Sequence, residues 1–126
     1  MGTRSLTIIK DEQDREICVM YRQYDGYPEG HGQDLRDFAN QFTLVNGIPL
    51  GDKRVLANGM NCLAAQLIAH FKRCAGGFYL YPSGTRDCWE EYTYYVYPKG
   101  ERVLVSCEES DEFNWYNEEF EKEAEQ

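Results

Sequence analysis

The period of the apolar residues changes three times along this 126-residue chain, and that order restricts the fold more than any other sequence feature. Residues 3–10 and 16–24 are rich in β-branched and aromatic side chains, and the polar residues 11–15 between them read as a hairpin turn. In residues 33–44 the apolar positions are 35, 38, 39 and 42, the i, i+3, i+4, i+7 set of an amphipathic helix. A loop marked by Asn46-Gly47 and Pro49 separates it from a second helix over 58–73. There Cys62, Leu63, Leu67, Ile68 and Phe71 are expected inward, Asn58 or Asn61 is the expected cap, and Gly76-Gly77 the expected stop. Residues 78–81, 90–97 and 102–107 return to strand character. Residues 111–124 put Phe113, Tyr116, Phe120 and Ala124 on one stripe of an acidic amphipathic helix, expected to fray after Glu121. Strands and helices do not alternate as βαβ units, which excludes a doubly wound sheet. The expectation is a single α+β domain in the order ββααβββα. Five mostly antiparallel strands form one sheet, two helices cover it, and residues 108–126 add an acidic C-terminal helix and tail to the body of residues 1–107.

Length and composition agree with one ordinary domain. A chain of this size buries about two-thirds of its unfolded surface and folds without a metal or disulfide. The longest apolar run, residues 62–69, is broken by Gln66 and far shorter than the roughly 20 residues of a membrane span. The net charge of −9 is unevenly placed: residues 1–100 carry 12 acids and 11 bases, residues 101–126 carry 10 acids and 2 bases. No basic stripe exists for extended nucleic acid. The five cysteines are irregularly spaced and include no Cys-x-x-Cys, which points to reduced thiols in a cytoplasm. The first residues show no apolar signal core, and Leu6 stands where N-myristoylation requires Ser or Thr.

Three of the four prolines lie in a recurring Tyr-Pro-x-Gly string, at residues 27–30, 81–84 and 97–100. Proline presets the second position of a turn and glycine suits the fourth, so each copy is expected to turn the chain, the third between the last two strands. The first copy lies in the segment densest in unusual chemistry, which holds Tyr21, Arg22, Gln23, Asp25, Tyr27, Gly30, His31 and Gly32. Backbone amides freed at Gly30 and Gly32 at a helix start bind anions, Arg22 and His31 add positive charge, and the tyrosines offer stacking faces. Asp34 and Asp37 in the first helical turn oppose an anion there.

Met1-Gly2-Thr3-Arg4 followed by Leu6, together with Tyr21-x-Gln23-x-Asp25-Gly26-Tyr27-Pro28-x-Gly30-x-Gly32, resembles a family of small uncharacterised proteins of bacterial and phage genomes. The likeness covers about the first 40 residues and, more loosely, Cys62-Leu63-Ala64-Ala65. It carries no activity over. It implies that the N-terminal strand, with Thr3 and Arg4, lies beside the Asp-Gly-Tyr-Pro loop, where Arg4 would pair with Asp25 or Glu29.

Other chemistry is weaker. Cys62 near a helix N-terminus is a candidate nucleophile, and His31 is the imidazole that would have to reach it, since His70 lies two turns along the same helix. Two lone histidines and scattered cysteines lack metal-ligand spacing, and no cofactor motif is present. The carboxylates Asp25, Glu29, Glu90 and Glu91 have no separation set by sequence. Tyr92, Tyr94, Tyr95 and Tyr97 on one strand suit an interface and lead to an expected homo-oligomer. The leading expectation is a small cytoplasmic, phage-borne binding protein without catalysis that sequesters a compact nucleotide-like signal molecule in an anti-defence role. Its site would be Thr3, Arg4 and residues 21–32. The alternatives are an acidic protein that blocks a basic surface of a partner, and a cysteine-dependent hydrolase or transferase.

Overall fold

A computed structural model describes residues 2–125. The domain is α+β, with strands β1 (Ser5–Lys10), β2 (Glu16–Arg22), β3 (Thr43–Leu44), β4 (Leu56–Ala57), β5 (Phe78–Tyr81), β6 (Tyr92–Lys99) and β7 (Arg102–Cys107). Its helices are α1 (Gln33–Ala39), α2 (Gly59–Phe71) and α3 (Asp111–Glu125), and a π-type helical turn (Pro28–Gly32) leads into α1. The main sheet has the order β5-β2-β1-β6-β7, and β3 and β4 form a separate two-stranded ladder. Within the main sheet only the central β1–β6 pair is parallel.

Alternation along the strands divides the sheet into two faces. Ile9, Met20, Tyr94, Val96, Val103, Val105 and Cys107 face the helices and pack on Leu35, Phe38, Met60, Leu63, Leu67 and Phe113. Leu6, Ile8 and Val19 face the other way, with Tyr21, Tyr95 and Cys88 against them. Tyr94 is thus core, and the exposed sheet tyrosines are Tyr79 and Tyr81 of β5 rather than those of β6.

The two sheet edges are treated differently. The antiparallel ladder turns the polar backbone of alternate residues outward. At the β7 edge α3 supplies the missing partner: the Asn114 amide accepts from Cys107 N–H and donates to Cys107 C=O, both at 2.7 Å. Asn117 Nδ2 donates to Val105 C=O at 3.0 Å. Arg36 of α1 holds α3 in place. Its guanidinium donates to the Phe113 carbonyl and lies 3.6 Å and 4.0 Å from the ring centres of Phe113 and Tyr116. At the β5 edge Lys72 Nζ donates to Phe78 C=O at 2.7 Å, and the Phe78 N–H is used in a turn with Gly76. Such capping is how sheets avoid edge-to-edge growth.

Several boundaries differ from the sequence reading. The first helix stops at Ala39, because Thr43 and Leu44 are drawn into extended pairing with Val55, Ala57 and Glu101. The second stops at Phe71, and Gly76-Gly77, both left-handed, form the turn into β5 instead. Asn58 does not cap α2. Its side chain accepts from Gly47 N–H, and the Glu12 carboxylate, from the β1–β2 turn, accepts the Met60 N–H at 3.0 Å. Helix α3 continues past Glu121 to Glu125, and the side chain of Ala124 lies outside the described residues. The third Tyr-Pro-x-Gly copy ends in the β6–β7 turn at Gly100.

Candidate functional site

The chain's opening residues do lie beside the glycine-rich hinge. Gly26 N–H donates to Thr3 C=O at 2.9 Å, and Glu91 N–H donates to Arg4 C=O at 2.9 Å. Gly26 packs so closely that a Cβ there would come within 2.8 Å of Ser5 Cβ and 2.9 Å of Thr3 O.

The hinge amides, however, are spent inside the chain. Gly30 N–H and Gly32 N–H go to Tyr27 C=O, and His31 N–H goes to Asp25 C=O. Gln23 N–H goes to Gly77 C=O. The expected anion cradle at Gly30 and Gly32 is therefore absent: a donor already paired within the chain cannot turn to a ligand without losing its partner. Gly32 is itself buried, against Tyr94 and Phe113. Asp25 takes a left-handed backbone to make the bend. Tyr21 lies on the opposite face of the sheet, among Tyr79 and Tyr81. Tyr27 stands exposed at the corner, and among the described residues no ion pair joins Arg4 to Asp25 or Glu29.

His31 is the centre of the corner and is fully buried. Its ring lies edge-on to Phe71 and Tyr94, at centroid distances of 5.3 and 5.8 Å. Its Nδ1 is 2.9 Å from Arg22 Nη1, and its Nε2 is 3.1 Å from Thr7 Oγ1. Arginine stays protonated and only donates, so Nδ1 must be the acceptor. The imidazole is then neutral, and Nε2–H donates to Thr7. Burial, with the Arg22 charge adding, pushes its pKa down to about 3. His31 therefore adds no positive charge at neutral pH. It is also no base for Cys62: both its nitrogens are taken, and the Cys62 sulfur instead accepts from Gln66 Nε2 at 3.3 Å. The positive end of α2 near Cys62 already holds the Glu12 carboxylate.

What His31 does is fix Arg22. The guanidinium Nε donates to Tyr24 C=O at 2.6 Å, and Nη1 meets His31 and lies 3.6 Å from Asp34. The group stacks over Phe78 at 5.0 Å. With 17% of its side chain exposed, Arg22 ends at the mouth of an open cleft of about 390 Å³ between α1, the end of α2 and β5. Phe38, Phe71 and Phe78 form the cleft's apolar surface. Arg73, Asp34, Asp37 and Gln41 supply polar groups, and His70 stacks on Phe38 at 4.5 Å. Asp37 accepts from Gln33 at 2.8 Å, so one of its oxygens is engaged within α1.

Of the residues expected to bind a ligand, the structure brings only Arg22 to this cleft and leaves Tyr21 on the opposite face of the sheet. Arg73, Phe78, His70 and Asp34, which also line the cleft, are not among the residues the sequence pointed to as ligand groups. They come from four elements or turns, and no linear spacing marks them.

No protein-family model, curated protein or solved structure matches this chain. No helix of the described residues is long and apolar enough to cross a membrane.

Proposed function

We propose that the chain is a binding module whose cleft takes a compact nucleotide-like molecule, a planar ring carrying one phosphate. The observation that carries this reading is the Arg22 guanidinium, held by His31 and Tyr24 before the ligand arrives, at the edge of an aromatic cleft. A pre-oriented cation spares the ordering cost of binding. Arg73 offers a forked guanidinium to a phosphate, and Arg22, whose Nε and Nη1 are engaged, adds its charge and its remaining Nη2. Phe78 and the Phe38–His70 stack offer flat faces to a ring. Asp34 and Asp37 accept from ring amino or sugar hydroxyl groups and disfavour a polyanion. The cleft volume falls in the range of small-ligand sites. Sequestration of a signal nucleotide is the concrete form of this activity. Self-association belongs to the same reading, at the exposed Tyr79, Leu80 and Tyr81 of β5.

Thermal shift and calorimetry with nucleoside monophosphates and 3′,5′-cyclic mononucleotides test it. A true ligand at a hundredfold excess over Kd stabilises the fold by about 2.7 kcal/mol. Arg73→Glu, at an exposed position, should weaken that ligand at least tenfold with the unliganded melting temperature unchanged. No shift with any member of the panel, or equal binding by Arg73→Glu, removes the proposal.

A second reading rests on α3. Trp115 is 62% exposed, and Asp111, Glu112, Glu118 and Glu119 lie three or four residues from it along the helix. An aromatic anchor ringed by acids suits a basic protein surface. Charge reversal at Glu112 and Glu119 should abolish capture of such a partner without unfolding the domain. Retained capture would exclude it.

A further inference from the structure

We propose that residues 82–91 carry a separate binding site for an organic cation, built from Trp89, Asp87 and Glu90. The proposal does not rest on the cleft of Arg22 and Arg73. This segment joins β5 to β6 and is tied down at several points. Glu16 of β2 accepts from Gly84 N–H at 2.8 Å and pairs with the Arg86 guanidinium. The Glu90 carboxylate accepts Cys88 N–H at 2.7 Å and Asp87 N–H at 3.3 Å. The Cys88 side chain packs on the Leu6, Ile8, Val19 cluster.

Held in this way, Asp87 and Trp89 have φ of 59° and 64°. A left-handed backbone at a bulky residue costs on the order of 1–3 kcal/mol and persists only where its surroundings impose it. The conformation does not bury the indole. It raises Trp89 clear of the domain, 84% exposed. Beside it is an open cleft of about 350 Å³ lined by Asp87, Trp89 and Glu90.

An indole face attracts a cation through its ring quadrupole, and adjacent carboxylates add Coulombic attraction. Arg86 is the segment's one basic residue and is already matched by Glu16, whereas Asp87, Glu90 and Glu91 are all acidic. The field at Trp89 therefore selects against anions. The ligand class is a guanidinium or alkylammonium group, supplied either by an arginine or lysine side chain of a polypeptide or by a free quaternary ammonium.

The test uses the full chain with Trp115→Phe, an exposed position, so that Trp89 is the only fluorophore of its kind. Blocked tetraarginine and tetramethylammonium chloride are titrated against sodium chloride of equal ionic strength. A saturable change in emission with either probe is expected. Saturation by the peptide alone assigns a polypeptide ligand, and saturation by the small ion alone assigns a free ammonium. Asp87→Asn keeps a residue that tolerates the left-handed backbone and should weaken binding about threefold or more. The proposal is overturned by a response that is linear and matched by sodium chloride, or by an unchanged affinity in Asp87→Asn.

Discussion

His31 joins β1 to the end of β2 through two hydrogen bonds made by one neutral ring. The cost of charging it there appears as pH dependence. In the unfolded chain the imidazole titrates near 6.5, and in the folded domain at about 3. Between those values the unfolded state binds the extra proton. His31's contribution is therefore complete above pH 6.5 and lost as pH falls toward 3. Integrated from pH 7 to pH 5, the loss is about 2 kcal/mol. Urea denaturation at the two pH values should show a drop of that size that is absent from His31→Gln, and parallel slopes in the two proteins would contradict the assignment. Gly26 gives a second prediction at this scale. Because backbone as well as side chain blocks its Cβ, Gly26→Ala should cost about 1–3 kcal/mol. A urea midpoint equal to the wild type would show that the hinge and β1 separate easily. Sequence marks His31 as unusual and misjudges its use. His31 and Gly32 look like ligand groups because a glycine-rich turn before a helix is the usual form of an anion site. Whether its amides are free depends on what packs around them.

At the scale of elements, α3 serves the β7 edge as an extra strand would, with two asparagine amides in place of a backbone. Asn114 makes two of these bonds, so Asn114→Ala leaves a donor and an acceptor of Cys107 without a partner. The expected loss is about 1–3 kcal/mol, with faster aggregation on heating seen by light scattering. Unchanged stability and scattering would show that the edge needs no cover. Arg36 is the other fastener, and burial pushes its guanidinium pKa down without threatening its charge. The stripe of Phe113, Tyr116 and Phe120 predicts that the helix packs on the body, which it does. It does not predict Asn114 and Asn117 as the inward polar residues, since hydropathy counts an amide as a surface group. Helix ends were the least legible features. The Gly76-Gly77 pair marks a turn, and only the pull of Lys72 toward Gly76 and Phe78 shows that the helix has already ended.

Over the whole molecule, the acidic segment covers one edge of the sheet, and the Arg22 cleft opens near the other. The order β5-β2-β1-β6-β7 keeps these regions three strands apart. Removing residues 111–126 would strip the net negative charge of α3 and expose the β7 edge together. The shortened chain should therefore associate at neutral pH while the full chain does not precipitate under the same conditions, as sedimentation would show. A monodisperse truncated protein would mean that α3 is a passenger. The one-domain α+β class and the order of the main-sheet strands and the helices follow from the sequence alone, because burial on a sheet or helix imposes a period that neighbouring residues must obey; the short β3–β4 ladder does not. The tertiary structure alone decides which polar groups remain for a ligand. Thr7 and His31 are 24 residues apart, and Arg22 and Arg73 come from different elements. A hydrogen bond or a cleft depends on distance in space, and no local pattern along the chain encodes it.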